Sequence, residues 1–177
     1  MTEKRAVFFC SASSEIDPKY NQAAREVVRA ACLAGYGIVS GGSFRGTMGA
    51  VCDAAKECGA FNKGVLPSFM KGLEYDGLSE LVWTPTTSER KEEMRRGVDI
   101  AMALPGGIGT IDELVETLVL AKLGQFSGKV ACLNLDGFFD PLRSLLDHFL
   151  ASGMMEKKDH DLLIFADSVA QAAELFV

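Results

Sequence analysis

Short apolar runs alternate with longer stretches whose apolar residues recur every three or four positions, and the alternation persists along the whole chain. The runs at 6–10, 38–40, 64–66, 81–84, 100–104, 130–135 and 162–165 read as strands, each short and bounded by glycine or polar segments. Helices are expected at 20–33, from the glycine-rich 41–49 to about Cys58, over 86–96, and at 141–150 and 168–176. Another follows 105–110, where Ile111, Leu114, Val115, Leu118 and Ala121 keep helical spacing. Gly35, Gly59 and Gly153 supply stops, and Thr86 with Glu89 three residues later forms a capping box. Residues 67–80 lack a clear period and are expected as an irregular excursion near the site. Strands regularly followed by helices imply right-handed crossovers. The pattern therefore predicts an α/β fold, a doubly wound, Rossmann-like parallel sheet of about seven strands with helices on both faces, in one domain spanning 1–177.

Composition narrows the function classes. The 177 residues, 48% hydrophobic and 24% charged, suffice for a substantial core. A net charge of −6 argues against general affinity for nucleic acid or an anionic membrane. Five cysteines are an odd number without a CxxC pair, so neither a disulfide framework nor a zinc site is expected, and buried reduced thiols are. The apolar run after Lys4-Arg5 is too short for a signal peptide and no segment is long enough to span a bilayer, so a cytoplasmic location is expected.

Two glycine-rich loops carry the candidate chemistry, and both follow strands, on the edge where doubly wound sheets bind ligands. In the second, Pro105, Gly106, Gly107, Ile108, Gly109 and Thr110 lie between a wholly apolar strand and a helix. Backbone that can approach a ligand closely, followed by a helix start with free N–H groups, makes an anion site, above all for phosphate. Glu113 stands one turn into that helix, and a carboxylate beside a phosphate cradle suggests chemistry on a phosphorylated small molecule. The first loop contains Gly41, Gly42, Gly46 and Met48 and imitates two known motifs. Gly41 and Gly46 have P-loop separation, but Thr47 stands where the phosphate-binding lysine belongs. For a dinucleotide fingerprint the middle glycine would fall at Ser43, and the loop follows the second strand. The first loop also admits a structural reading, in which its glycines only permit tight turns and close helix-to-sheet packing. Thr110 with Glu113 likewise fits a capping box, and Glu92 with Arg96 a solvated ion pair.

The same residues resemble the LOG (Lonely Guy) family of cytokinin-activating nucleoside 5′-monophosphate phosphoribohydrolases. Residues 105–113 match its P-G-G-x-G-T-x-x-E signature, and Arg90-Lys91 its upstream Arg-Lys pair. Residues 10–13, ending in Ser13, are similar to the family's C-G-S-S, with Ser11 in place of glycine. Residues 41–49 are similar to G-G-G-x-x-G-x-M-G, with Ser43 in place of the third glycine. The resemblance implies hydrolysis of the N-glycosidic bond of an adenosine 5′-monophosphate, with or without an N6 side chain, to free base and ribose 5-phosphate. It also implies a homodimer with its sites near the interface, and no cofactor is expected. Glu74 is the counterpart of a further family glutamate. Departures fall at Ile108, where an aromatic residue is common, and at Thr87-Ser88-Glu89, where plant members have Met-His. Relatives often carry the label lysine decarboxylase, which usually requires pyridoxal phosphate on a lysine, and the phosphate loop has none.

Cleaving a ribosyl bond builds positive charge on the sugar, which an ionised carboxylate stabilises while orienting or deprotonating water. Glu113 is the candidate for that role, with the N–H groups of 107–110 holding the 5′-phosphate. Arg90 would either bind the phosphate or fix the carboxylate, with Lys91 as helper. His148 and His160 fall in a late helix and a polar loop and are expected outside the chemistry. A catalytically silent nucleotide-binding or cofactor-carrier protein and a dinucleotide-dependent redox enzyme are the alternatives from other classes.

Overall fold

The computed structural model describes residues 4–177. Seven strands form one sheet: β1 (Arg5–Phe9), β2 (Gly37–Ser40), β3 (Asn62–Pro67), β4 (Glu80–Thr84), β5 (Ile100–Ala103), β6 (Lys129–Leu133) and β7 (Leu163–Ala166). They lie in the order β4-β3-β2-β1-β5-β6-β7, and every neighbouring pair is parallel. The helices between them are α1 (Pro18–Leu33), α2 (Gly46–Glu57), α3 (Thr87–Arg95), α4 (Ile108–Lys122), α5 (Asp140–Ala151), α6 (Lys157–His160) and α7 (Val169–Glu174).

Alternation along the central strand divides the core into two layers, because successive side chains leave a strand on opposite faces. Ala6, Phe8 and Cys10 pack with Val27, Val28 and Val51 from α1 and α2 and with Phe176. Val7 and Phe9 pack on the other face with Met94, Leu114 and Leu146 from α3, α4 and α5. The chain winds outward from β1 to β4, then returns to place β5 beside β1. Winding direction reverses there, so the carboxyl ends of β1 and β5 border the crevice that such sheets use for ligands.

Local signals set most boundaries. Pro18 opens α1 behind Asp17, whose carboxylate accepts from Lys19 N at 3.0 Å. Thr86 caps α3 by accepting from Glu89 N at 3.2 Å, as its spacing predicts. Gly35, Gly59 and Gly153 all have positive φ just past helix ends. The one-turn α6 was not expected, since four residues give no period to read. The excursion after β3 holds a 3-10 turn at Ser68–Met70 and then clips onto the first glycine loop. Tyr75 N donates to Gly42 O at 2.8 Å, Phe44 N to Leu73 O at 3.1 Å, and Ser43 forms an antiparallel bridge with Glu74. All five cysteines are free; Cys10, Cys52 and Cys132 are buried as expected, but Cys32 is half-buried and Cys58 is exposed at the end of α2. Among the described residues no helix is long and apolar enough to cross a membrane.

Candidate active site

The mouth of α4 is built from glycines of two kinds. A Cβ on Gly106 would lie 2.8 Å from Thr110 Cβ and 3.2 Å from Ser11 N, so glycine there lets the first turn of α4 fold over the loop that follows β1. At Gly107 and Gly109 a Cβ would meet nothing within 4 Å, and neither has positive φ. Packing requires glycine at neither. What their bareness provides is open backbone for a ligand. Gly107 is the N-cap of α4 and no side chain caps the helix, so the first-turn N–H groups of Ile108, Gly109 and Thr110 have no intrahelical acceptor. The capping box suggested by Thr110 and Glu113 does not form, because α4 begins at Ile108 and both residues lie inside it. Ile108 is 87% exposed on the rim.

Glu113 is buried, 7% exposed, and it is not alone. Arg90 reaches it from α3, with Nη1 donating to Glu113 Oε1 at 2.7 Å, while Arg90 Nε donates to Val65 O at 2.9 Å. The guanidinium is thus fixed between a strand carbonyl and the carboxylate. Of the two roles left open for Arg90, its hydrogen bonds match holding the carboxylate. Burial raises the Glu113 pKa above its ordinary 4.5, opposed by the Arg90 charge and hydrogen bond. Cys10, buried at the end of β1, has its thiol pushed up by burial and then by the Glu113 charge. Lys91 donates to Asp112 Oδ1 and Oδ2 at 3.0 and 2.9 Å and pairs with Glu116, which Arg95 also meets at 2.6 Å. Burial works against the Lys91 charge, yet hydrogen bonds to Glu116 and Asp112 leave its pKa raised. The charged face of α3 is therefore stitched to α4 and, through Glu93 and Lys63 at 2.6 Å, to β3, while the exposed Arg96 lies 3.6 Å from Glu92, as the spacing predicts, and closer, at 3.0 Å, to Glu93.

In the first glycine loop the structural reading holds for most positions. Gly42 has φ 71° and a Cβ there would sit 2.6 Å from Gly64 Cα, while Gly46 has φ 55° and presses on Ala12. Gly41 differs, because its missing side chain leaves room for the Arg90 guanidinium and for Met48 Sδ. Met48 N donates to Ser11 O at 3.2 Å and Ser11 N would lie 3.2 Å from a Cβ on Gly106, so the loop after β1 lies between the two glycine loops, with Ser13 Oγ turned to accept from Glu15 N at 3.3 Å. The carboxylate of Glu74 turns back to accept from Gly72 N at 2.6 Å. His160 contacts Asp147 at 2.8 Å on the α5–α6 side, and His148 is exposed on α5. Sequence reasoning missed Asp112, Glu116 and the Val65 carbonyl. The carbonyl leaves no trace in side-chain identity.

A cleft of about 810 Å³ lies on the outer flank of α3 and α4 and is lined by Glu89, Glu92, Arg96, Glu116 and Phe126 among others. It includes neither glycine loop. An apolar groove of about 270 Å³ runs between α4 and α5. The candidate site is instead the edge at the carboxyl ends of β1 and β5, where the open N–H groups at the glycine-bearing start of α4 meet the buried, Arg90-paired carboxylate of Glu113. Among the described residues no group of three or more His, Cys, Asp and Glu side chains is arranged to hold a metal ion.

A family model described as "Possible lysine decarboxylase" matches residues 48–176. The probable cytokinin riboside 5′-monophosphate phosphoribohydrolase LOGL9 of Oryza sativa subsp. japonica is 34% identical over 165 residues, 92% of this chain and 73% of the relative. The cytokinin riboside 5′-monophosphate phosphoribohydrolase LOG2 of Arabidopsis thaliana is 30% identical over 174 residues, 97% of this chain and 82% of the relative. Among solved structures, the molybdenum cofactor binding protein from Rippkaea orientalis superposes with a TM-score of 0.74 at 22% identity, covering 99% of this chain and 96% of that one. The molybdenum cofactor carrier protein of Chlamydomonas reinhardtii gives 0.72 at 21% identity, covering 97% and 94%. At these identities the two structures speak for the fold alone. The matched span and the signature at residues 105–113 place the chain in the LOG family, the family to which it belongs.

Proposed function

We propose that the protein hydrolyses the N-glycosidic bond of an adenosine 5′-monophosphate, with or without an N6 substituent, releasing free base and ribose 5-phosphate. Relatives named as phosphoribohydrolases over more than nine-tenths of the chain support the substrate class. The observation that carries the reading is Glu113, a buried carboxylate held 2.7 Å from Arg90 one turn behind an uncapped helix N-terminus. The 5′-phosphate docks on the N–H groups of residues 107–110, which places the ribose over Glu113. As the glycosidic bond lengthens, positive charge grows on the sugar and the Glu113 carboxylate stabilises it while orienting the attacking water. Arg90 acts through Glu113 by fixing its orientation. In this reading the enzyme is one domain, cytoplasmic, and works as a homodimer.

A panel of purine and pyrimidine 5′-monophosphates, with and without N6 substituents, assayed for base release, tests the proposal. Adenine release from AMP is expected, with adenosine a poor substrate because the cradle offers a neutral hydroxymethyl group nothing comparable. Binding of AMP without base release would support a nucleotide or cofactor carrier instead.

A further inference from the structure

Around the candidate site three cations and three carboxylates are already matched: Arg90 with Glu113, Lys91 with Asp112 and Glu116, and Arg95 with Glu116. A 5′-phosphate carries about two negative charges at neutral pH, and on the first turn of α4 it would sit within a turn of Asp112 and Glu113. The helix end offers only about half a positive charge in return. The matched cluster has no cation left for the dianion.

Among the described residues, Arg45 is the one lysine or arginine whose side chain makes no ion pair, hydrogen bond or ring contact; only its backbone is bonded. It is exposed, and it is the N-cap of α2. Its neighbour Gly46 lies so close to the loop after β1 that a Cβ there would be 2.7 Å from Ala12 C and 2.9 Å from Ser11 O. Ser11 N in turn is 3.2 Å from a Cβ placed on Gly106, the residue before the N-cap of α4. One loop therefore separates the backbone of Arg45 from the phosphate cradle. Arginine presents a planar fork of donors matched to phosphate oxygens, and residue 45 occupies a variable position of the glycine motif.

We propose that Arg45 is the cation that recognises the 5′-phosphate, acting across residues 11–13 from the α4 N-terminus; this rests on the phosphoribohydrolase reading. Titration calorimetry with ribose 5-phosphate and initial rates with AMP on the parent and on Arg45→Gln, Arg45→Lys and Lys158→Gln test it. Lys158 is an exposed cation paired with Glu156 at 2.9 Å and controls for general charge. Arg45→Gln should weaken ribose 5-phosphate binding and raise the KM for AMP about 10-fold or more, with kcat changed little. Arg45→Lys should recover part of the loss. The parent's affinity should also fall more steeply with salt than that of Arg45→Gln. Unchanged binding and KM in Arg45→Gln, or an equal loss in Lys158→Gln, overturns the proposal. If the parent binds ribose 5-phosphate through Arg45 but does not cleave AMP, the hydrolase reading fails and the assignment of Arg45 stands.

Discussion

At the scale of single residues, Glu113 meets two opposing demands, since burial favours its neutral form and the adjacent Arg90 favours the charge that the proposed chemistry needs. Glu113→Gln keeps an acceptor for Arg90 but removes that charge. Turnover of AMP should fall roughly 10²-fold or more while the melting temperature stays close to the parent's and ribose 5-phosphate still binds. A near-parental rate in this variant would leave Glu113 a packing residue. The pH profile supplies a second check. Because burial raises its pKa above the ordinary 4.5, the acid limb of kcat/KM should lie above 4.5, activity being lost as pH falls through it. Arg90→Ala removes the group that opposes burial, so the limb of the residual activity should move to higher pH. A limb that stays in place would detach the profile from Glu113. The signature at residues 105–113 made Glu113 legible in the sequence, but Arg90 by itself reads as one more charge on a hydrophilic helix. Only its bonds to Val65 O and Glu113 show it facing inward.

At the scale of elements, polar contacts decide how helices sit on the sheet. Met94 is the only apolar side chain that α3 buries, so the α3–α4 stitching by Arg90, Lys91 and Arg95 supplements a thin apolar contact. A second polar clasp joins α5 to α6, where His160 Nε2 lies 2.8 Å from Asp147 and Nδ1 3.3 Å from Asp161. Hydrogen bonds to Asp147 and then Asp161 raise the His160 pKa above its ordinary 6.5. A raised folded pKa means that its stabilisation is fully present below about pH 6.5 and is lost as pH rises through the folded value. Chemical denaturation from pH 5.5 to 8.5 should therefore show the parent losing a small increment that His160→Gln lacks. Identical slopes would remove the clasp from the stability account. The sequence placed His160 in a loop because a single helical turn has no period, and it gave no sign of Asp147, thirteen positions away.

At the scale of the whole molecule, the apolar groove between α4 and α5 joins exposed Val115, Val119 and Leu145, which are 41%, 47% and 47% exposed. Apolar side chains on two adjoining helices form a surface suited to a second copy. Light scattering at micromolar concentration should give the mass of a dimer, and Val119→Glu should shift it toward monomer without lowering the monomer's own stability by more than about 0.5 kcal/mol, since the residue is already half exposed. A parent that is monomeric at that concentration would sink the homodimer.

The alternation of apolar runs and helical stripes was enough to determine seven strands, their parallel direction and the helices between them, because periods of 2 and 3.6 residues are local properties of the backbone. Local glycine and proline chemistry likewise determined most helix ends. The order of strands was decided only in three dimensions, since the return from β4 to β5 sets Phe9 at the carboxyl end of β1 beside Ala103 at that of β5, far apart in the chain. Tertiary structure also decided which glycines serve packing and which leave backbone open, a distinction that depends on what lies within 4 Å of an absent Cβ. The same holds for charge. Every lysine and arginine has the same formal charge in the sequence, but folding commits Arg90, Lys91 and Arg95 to carboxylates and leaves the side chain of Arg45 without a partner among the described residues, because pairing depends on distance and burial.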